Sequence, residues 1–178
     1  MSNKKYDYLN SNVLPKHLFE AVKLLGTKEI AGAKSNKEIL QWAKECGLDK
    51  IYTNDDTAWC GLFIAVTMLR SNQKPLQKYK ALRAKEWAMY GLYVDKEEAK
   101  LGDILVFVRD GGGHVGYYVG EDKLAYHVLG GNQSNMVSIV RILKERCIAV
   151  RRVVYFDSKC TINKIYLDDN GKVSENES

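Results

Sequence analysis

Asp55–Arg70 reads DDTAWCGLFIAVTMLR, a polar start followed by nine residues that are almost entirely apolar. A membrane-spanning helix needs roughly 20 apolar residues, so this run is about half the required length. We therefore expect a helix from near Ala58 to about Arg70 whose body is buried in a globular domain. Cys60 stands at the junction of the two parts. It is either a small core residue or a nucleophile held at the start of the helix.

The composition indicates a single globular domain with an anionic target. At 178 residues, with 46% hydrophobic and 28% charged residues, the chain can bury a core and is not of the disordered class. Its net charge is +5, which suits a nucleic acid, a membrane surface or a bacterial wall polymer. The basic residues of VRILKER and RRVV partly alternate along predicted strands, as on a solvated sheet face. We therefore expect no nucleic-acid binding and no membrane span.

The four cysteines, Cys46, Cys60, Cys147 and Cys160, are far apart and form no CxxC pair. This spacing argues against a zinc ribbon and against a disulfide-stapled secreted scaffold. We expect reduced thiols in a protein made in the cytoplasm. The polar start MSNKKYDYLNSN is not followed by the apolar core of a signal peptide. If the protein acts at the cell wall or in the periplasm, we expect release or secretion by another system.

The first half of the chain predicts helices. Pro15 and Gly26 bound the first one, and Gly47 ends the second. Capping residues are predicted for two helices: Ser35 with Glu38 as a capping box, and Asp55, Asp56 and Thr57 before the apolar run. A further short helix is expected in ALRAKEWAMYG.

The second half changes to the period of strands, in DILVFV, HVGYYVG, KLAYHVL, MVSIVRI and AVRRVVYF. Their short connections favour antiparallel pairing. Helices followed by strands predict an α+β fold, with N-terminal helices packed on a mostly antiparallel sheet of five to six strands. We expect one domain over residues 14–157. A polar extension, 1–13, precedes it, and a partly mobile extension, 158–178, follows it.

Three positions could form a nucleophilic site. Backbone N–H groups and the helix dipole at a helix start favour a thiolate at Cys60. His114 follows three glycines in GGGHVG, and glycine lets a neighbouring group approach the backbone closely. A third polar residue must orient the imidazole, and both His127 and Asn132 follow on the next stretch. The ligand spacing of Cys60, His114 and His127 does not fit zinc, so we expect no metal and no other cofactor.

The segments DDTAWCGLFI, GGGHVG and GGNQS together resemble the CHAP and NlpC-type cell-wall cysteine peptidases, which are rearranged relatives of papain. The similarity is greatest to the compact phage-associated branch and covers about residues 14–156. It implies a papain-like arrangement with Cys60 as nucleophile, His114 as general base and Asn132 as orienting residue, His127 being the alternative. The residues expected to line the substrate cleft are Asp55, Trp59, Arg109, Gly113 and Tyr117.

The same resemblance implies hydrolysis of a peptidoglycan amide bond, by an endopeptidase or an N-acetylmuramoyl-L-alanine amidase that works as a monomer. Such a protein could be a phage endolysin or a secreted antibacterial toxin, and an immunity protein would accompany the toxin. The alternative is a non-catalytic module of the same fold that binds the cell wall or a partner protein.

Overall fold

The apolar run forms a buried helix, as predicted, and this helix, α3 (Cys60–Arg70), lies at the centre of the domain. The structure is a computed structural model that describes residues 4–10, 13–30, 32, 34–154, 162–169, 171–175 and 177. Every residue of α3 from Cys60 to Met68 is buried. A helix that is apolar on all sides must be covered on all sides, so the other elements are arranged around it.

The remaining helices are short and surround α3. They are α1 (Lys16–Val22), α2 (Lys37–Glu45) and α4 (Tyr79–Leu82), with 3-10 helices at Lys4–Asn10, Ala84–Met89, Lys96–Glu98 and Lys144–Arg146. The predicted capping residues are wrong in two places. Asn36, not Ser35, caps α2, because its side-chain oxygen accepts the Glu38 N–H at 2.8 Å. No side chain caps α3, which begins directly after Trp59.

The predicted α+β class with an antiparallel sheet is confirmed. The strands are β1 (Leu92–Val94), β2 (Ile104–Arg109), β3 (Gly112–Glu121), β4 (Ala125–Gly130), β5 (Ser138–Leu143) and β6 (Cys147–Arg152). They form one six-stranded sheet in the order β1-β6-β2-β3-β4-β5, with every neighbouring pair antiparallel.

The two faces of the sheet support two separate clusters of buried side chains. Val115 and Tyr117 of β3 face α3 and join the larger cluster. Phe107 belongs to the smaller cluster, on the other face. His114 pairs with Phe107 across β2 and β3, and their rings stack with centroids 6.5 Å apart. Because side chains alternate along a strand, the His114 ring lies on the face away from α3 while the next residue faces it.

The described parts of both predicted extensions contact the domain. Leu9, in the N-terminal 3-10 helix, is buried in the core that contains α3. At the other end, the Leu167 N–H donates to the Glu121 carbonyl at 2.8 Å, and the Ser174 N–H donates to the Arg141 carbonyl at 2.7 Å. Cys160 and the rest of 155–161 lie outside the described residues, so the expectations for that segment stay predictions.

His17 is a buried packing residue at the start of α1. Its Nε2 lies 2.6 Å from the Gly102 carbonyl oxygen, and its ring lies 5.0 Å from that of Tyr117. Burial lowers the pKa of His17 to about 4, and it lowers the pKa of His114 to about 4 as well. A lowered histidine pKa stabilises the folded state above the unfolded pKa of about 6.5, and this contribution decreases as the pH falls below it.

We predict that acidification from pH 6.5 to pH 5 lowers the free energy of unfolding, because the unfolded chain binds protons that the folded chain excludes. His17→Gln keeps a donor for the Gly102 carbonyl and removes one of the three histidines whose pKa is lowered by burial. Its free energy of unfolding, measured by urea denaturation, should depend less steeply on pH than that of the wild type. Equal slopes in the two proteins, or a wild type that gains stability on acidification, would contradict this.

Candidate active site

Cys60 is the first residue of α3, and its sulfur lies against the beginning of β3. The backbone N–H of Val115, the residue that directly follows His114, lies close enough to the sulfur to lower the pKa of the thiol. Only 4% of Cys60 is exposed. Burial raises the pKa of the Cys60 thiol, while the Val115 N–H and the positive charge of Arg109 oppose this rise. The helix start therefore presents a neutral thiol to the strand that carries the histidine.

The His114 imidazole is held by Gln133. The His114 Nε2 lies 3.0 Å from the Gln133 Oε1. The amide nitrogen of Gln133 is committed elsewhere, because it donates to the carbonyls of Ser138 at 2.6 Å and Val128 at 3.3 Å. Its oxygen must therefore face the ring, so the His114 Nε2 carries the hydrogen and Nδ1 keeps the lone pair. The second nitrogen of the ring is the one available as a base.

Two glycines at the end of β4 allow this contact. A Cβ on Gly130 would lie 2.7 Å from the Gln133 Oε1 and 3.0 Å from the His114 Nε2. A Cβ on Gly131 would lie 2.7 Å from the Trp59 ring. Both positions therefore require glycine, as the sequence GGNQS suggested, and the loop packs against the histidine on one side and the start of α3 on the other.

The side chain that contacts the His114 ring belongs to the residue after Asn132, the predicted orienting residue. Asn132 follows β4 as expected, but its backbone takes a left-handed conformation with φ 59°. The hydrogen bond to the His114 ring comes from Gln133, whose side chain is fully buried. The left-handed turn at Asn132 thus directs the Gln133 side chain toward the His114 ring. The segment GGNQS contained both residues, and the turn decided between them.

His127, the alternative orienting residue, lies at the other end of β4. Its Nδ1 is 2.6 Å from the Tyr6 hydroxyl and its Nε2 is 3.0 Å from an Asp122 carboxylate oxygen, so both ring nitrogens have partners. His127 pairs with Gly120, six residues along β3 from His114, a distance of about 20 Å. It is part of a buried polar network and cannot orient His114.

Two aromatic residues expected in the cleft are core residues. Tyr117 is fully buried, and its hydroxyl lies 2.7 Å from the Thr67 Oγ1 of α3. Trp59 is also fully buried, packs edge-on against Trp42 with ring centroids 5.9 Å apart, and donates its indole N–H to Glu29 at 3.2 Å. Tyr117 joins the sheet to α3, and Trp59 supports the Gly131 loop.

Asp55 holds two loops together through its carboxylate. Its buried carboxylate accepts the backbone N–H groups of Ile30 at 3.1 Å and Asn36 at 2.8 Å. It therefore holds the segment before α2 against the segment before α3. The sequence predicted that Asp55 caps α3, but it does not. Its carboxylate also does not face a cleft.

Gly113 and Arg109 lie at the turn that joins β2 to β3. The Arg109 Nε donates to the Gly113 carbonyl at 3.2 Å. A Cβ on Gly113 would lie 2.9 Å from the Lys85 side chain, so two cations flank this turn. Of the residues expected to line the cleft, these two lie nearest the surface beside His114.

Sequence reasoning missed Gln133 and a buried ion pair, Arg146–Glu177. The two Glu177 carboxylate oxygens lie 2.9 and 2.8 Å from the Arg146 guanidinium. The negative charge of Glu177 raises the pKa of His114 and partly offsets the effect of burial. The acidic C-terminal composition gave no signal that one of its carboxylates would be buried.

No protein-family model matches the chain, and no curated protein matches it at a significant level. Among the described residues, no helix is long and apolar enough to cross a membrane. Within the same residues, no group of three or more His, Cys, Asp or Glu side chains is arranged to hold a metal ion.

We predict that the neutral His114 ring carries its hydrogen on Nε2. Nitrogen-15 NMR of the imidazole groups should show this tautomer for His114, because the Gln133 oxygen can only accept. In Gln133→Ala the acceptor is lost, and the signals should move toward a tautomer mixture. A wild-type ring protonated on Nδ1 would contradict the assignment.

Proposed function

We propose that this chain is a cysteine hydrolase of the papain-like CHAP and NlpC type that cleaves an amide bond of bacterial peptidoglycan. One observation carries the proposal. The Cys60 sulfur, at the first turn of α3, lies beside the backbone N–H of Val115, the residue after His114, and the Nε2 of His114 is held by Gln133. Cys60 and His114 thus both lie at the start of β3, beside the end of β4 where Gln133 follows, and we propose that they act as nucleophile and base.

The reaction that we propose requires the His114 ring, which stacks on Phe107 on the face of the sheet away from α3, to move to the Cys60 sulfur. The His114 Nδ1 takes the proton of the Cys60 thiol, and the thiolate attacks the amide carbonyl carbon. The backbone N–H of Cys60, in the first turn of α3, has no partner within the helix and can donate to the developing oxyanion. His114 then gives its proton to the leaving amine nitrogen, the C–N bond breaks and a thioester remains. Water, deprotonated by His114, cleaves the thioester to a carboxylic acid and restores the thiol.

Burial opposes the first proton transfer in the resting protein. The pKa of Cys60 is raised and that of His114 is lowered, so the neutral pair is favoured over the thiolate–imidazolium pair. The charge of Arg109 acts in the other direction at Cys60. We expect the ion pair to form when a substrate carbonyl is in place to accept the negative charge.

The substrate class is supported by the resemblance of the three motifs and by the net charge of +5, which suits an anionic wall polymer. The bond would lie in the stem peptide or cross-bridge, or between muramic acid and L-alanine. Within this proposal the chain serves as a phage endolysin or as a secreted antibacterial toxin, the toxin being paired with an immunity protein.

A second candidate is a binding module that keeps the fold without catalysis. One observation favours it: Cys60 is 4% exposed and His114 is 1% exposed. A substrate can reach these atoms only if the covering residues move. Wall binding without wall cleavage would support this candidate.

We predict that Cys60→Ala abolishes release of soluble fragments from purified peptidoglycan, measured by mass spectrometry, because the proposed thioester forms on the Cys60 sulfur. Cys46→Ala is the matched control, since Cys46 is also a free thiol but lies at the end of α2, away from β3. This control should retain wild-type activity. Equal release by the wild type and Cys60→Ala, or no release by the wild type, would refute the proposed nucleophile.

We predict that Gln133→Ala lowers kcat by about 10²-fold or more, because the imidazole loses its orientation, while Asn132→Ala lowers it far less. His127→Ala should act mainly through stability, since its partners are Tyr6 and Asp122. Circular dichroism and thermal unfolding identify variants that fail to fold. A larger kcat loss in a folded Asn132→Ala than in a folded Gln133→Ala would restore Asn132 as the orienting residue.

A further inference from the structure

The last described residues, 171–175 and 177, form a strap across the end of the sheet that carries His114. Val173 makes a parallel bridge with Arg141 of β5. The Ser174 N–H donates to the Arg141 carbonyl at 2.7 Å, and the Ser174 carbonyl accepts from Arg146 at 2.9 Å. These contacts hold the strap beside β5, parallel to it, and against Arg146.

Glu177 ends the strap beside the candidate site. The Ser134 N–H donates to the Glu177 backbone carbonyl at 3.2 Å, and Ser134 directly follows the residue that holds His114. The Glu177 side chain is buried with 1% exposure, and its two oxygens face the Arg146 guanidinium in a bidentate pair. A carboxylate from a remote part of the chain thus occupies a shaped cationic site next to the catalytic pair.

Part of the strap faces solvent. Gly171, Lys172 and Glu175 are exposed, and Glu175 provides a carboxylate of the same segment outside the site. The Glu177 carboxylate is the charged contact of the strap with Arg146, beside the hydrogen bonds made by the backbone of Gly171, Ser174 and Glu177.

We propose that Arg146 is a carboxylate-binding subsite beside His114 and that Glu177 fills it in cis, so that the strap competes with an acidic group of the substrate. The subsite would take a carboxylate of a wall peptide, and in this respect the inference rests on the proposed function. Departure of the strap uncovers the His114 side of the site, and a substrate carboxylate then takes the place of Glu177 on the guanidinium.

The first measurement does not depend on catalysis. Diethyl pyrocarbonate labelling, mapped by peptide mass spectrometry, reports the accessibility of each histidine. Glu177→Gln should increase the labelling rate of His114 about tenfold, the effect of losing one charge-assisted interaction. Glu175→Gln should leave it unchanged. His17, buried at the Gly102 carbonyl, is the internal reference within each sample.

The second measurement identifies the ligand chemistry. Soluble peptidoglycan peptides with free carboxylates, and the same peptides with amidated carboxylates, are titrated into the full chain. Glu177→Gln should bind the free acid about tenfold more tightly than the wild type does. It should bind the amide with the same affinity as the wild type. Adding Arg146→Met to Glu177→Gln should remove the preference for the free acid.

Unchanged His114 labelling in Glu177→Gln, or equal affinity for acid and amide in that variant, would overturn the inference. If labelling and acid preference behave as expected but no variant cleaves peptidoglycan, the strap and the subsite stand and the proposed hydrolysis fails. The two failures are therefore distinguishable.

Discussion

The candidate site depends on the contact between α3 and β3. An apolar helix must be covered, and β3 covers it through Val115 and Tyr117, with the Tyr117 hydroxyl meeting Thr67 inside the core. The same packing brings the first residue of α3 to the first part of β3, where the Val115 N–H meets the Cys60 sulfur. Core packing and placement of the thiol are consequences of one contact, so changes in the core will be felt at the site.

The second constraint is the tight loop after β4. Gly130 and Gly131 allow the backbone to pass between His114 and Trp59, and Gln133 then reaches under the sheet to hold the imidazole. Fixed amide donors on Gln133 set the direction of its oxygen, and this in turn sets the tautomer of the ring. The chemistry that we propose needs that tautomer, because the Nδ1 lone pair must be available to accept the proton of the thiol.

In the resting arrangement the site is covered, and both reacting groups are neutral because burial shifts their pKa values apart. A buried, neutral pair protects a thiol from oxidation and leaves activation to an event that admits substrate. The Arg146–Glu177 pair lies at the position where such an event would occur. Its carboxylate comes from the acidic end of the chain, while most of the basic residues belong to the body that would contact an anionic polymer.

The sequence by itself determined the class of fold, the central helix, most strand positions and two of the three candidate catalytic groups, because hydrophobic period and glycine punctuation are local signals. Only the tertiary structure decided that Gln133, not Asn132, holds His114, since the direction of a side chain after a left-handed turn depends on the strands around it. Only the structure removed Tyr117, Trp59 and Asp55 from the cleft, because burial is set by neighbours distant in sequence. The ion pair between Glu177 and Arg146 could likewise not be predicted from the sequence. The composition gives the charge of the C-terminal segment but not the residue with which one of its carboxylates pairs.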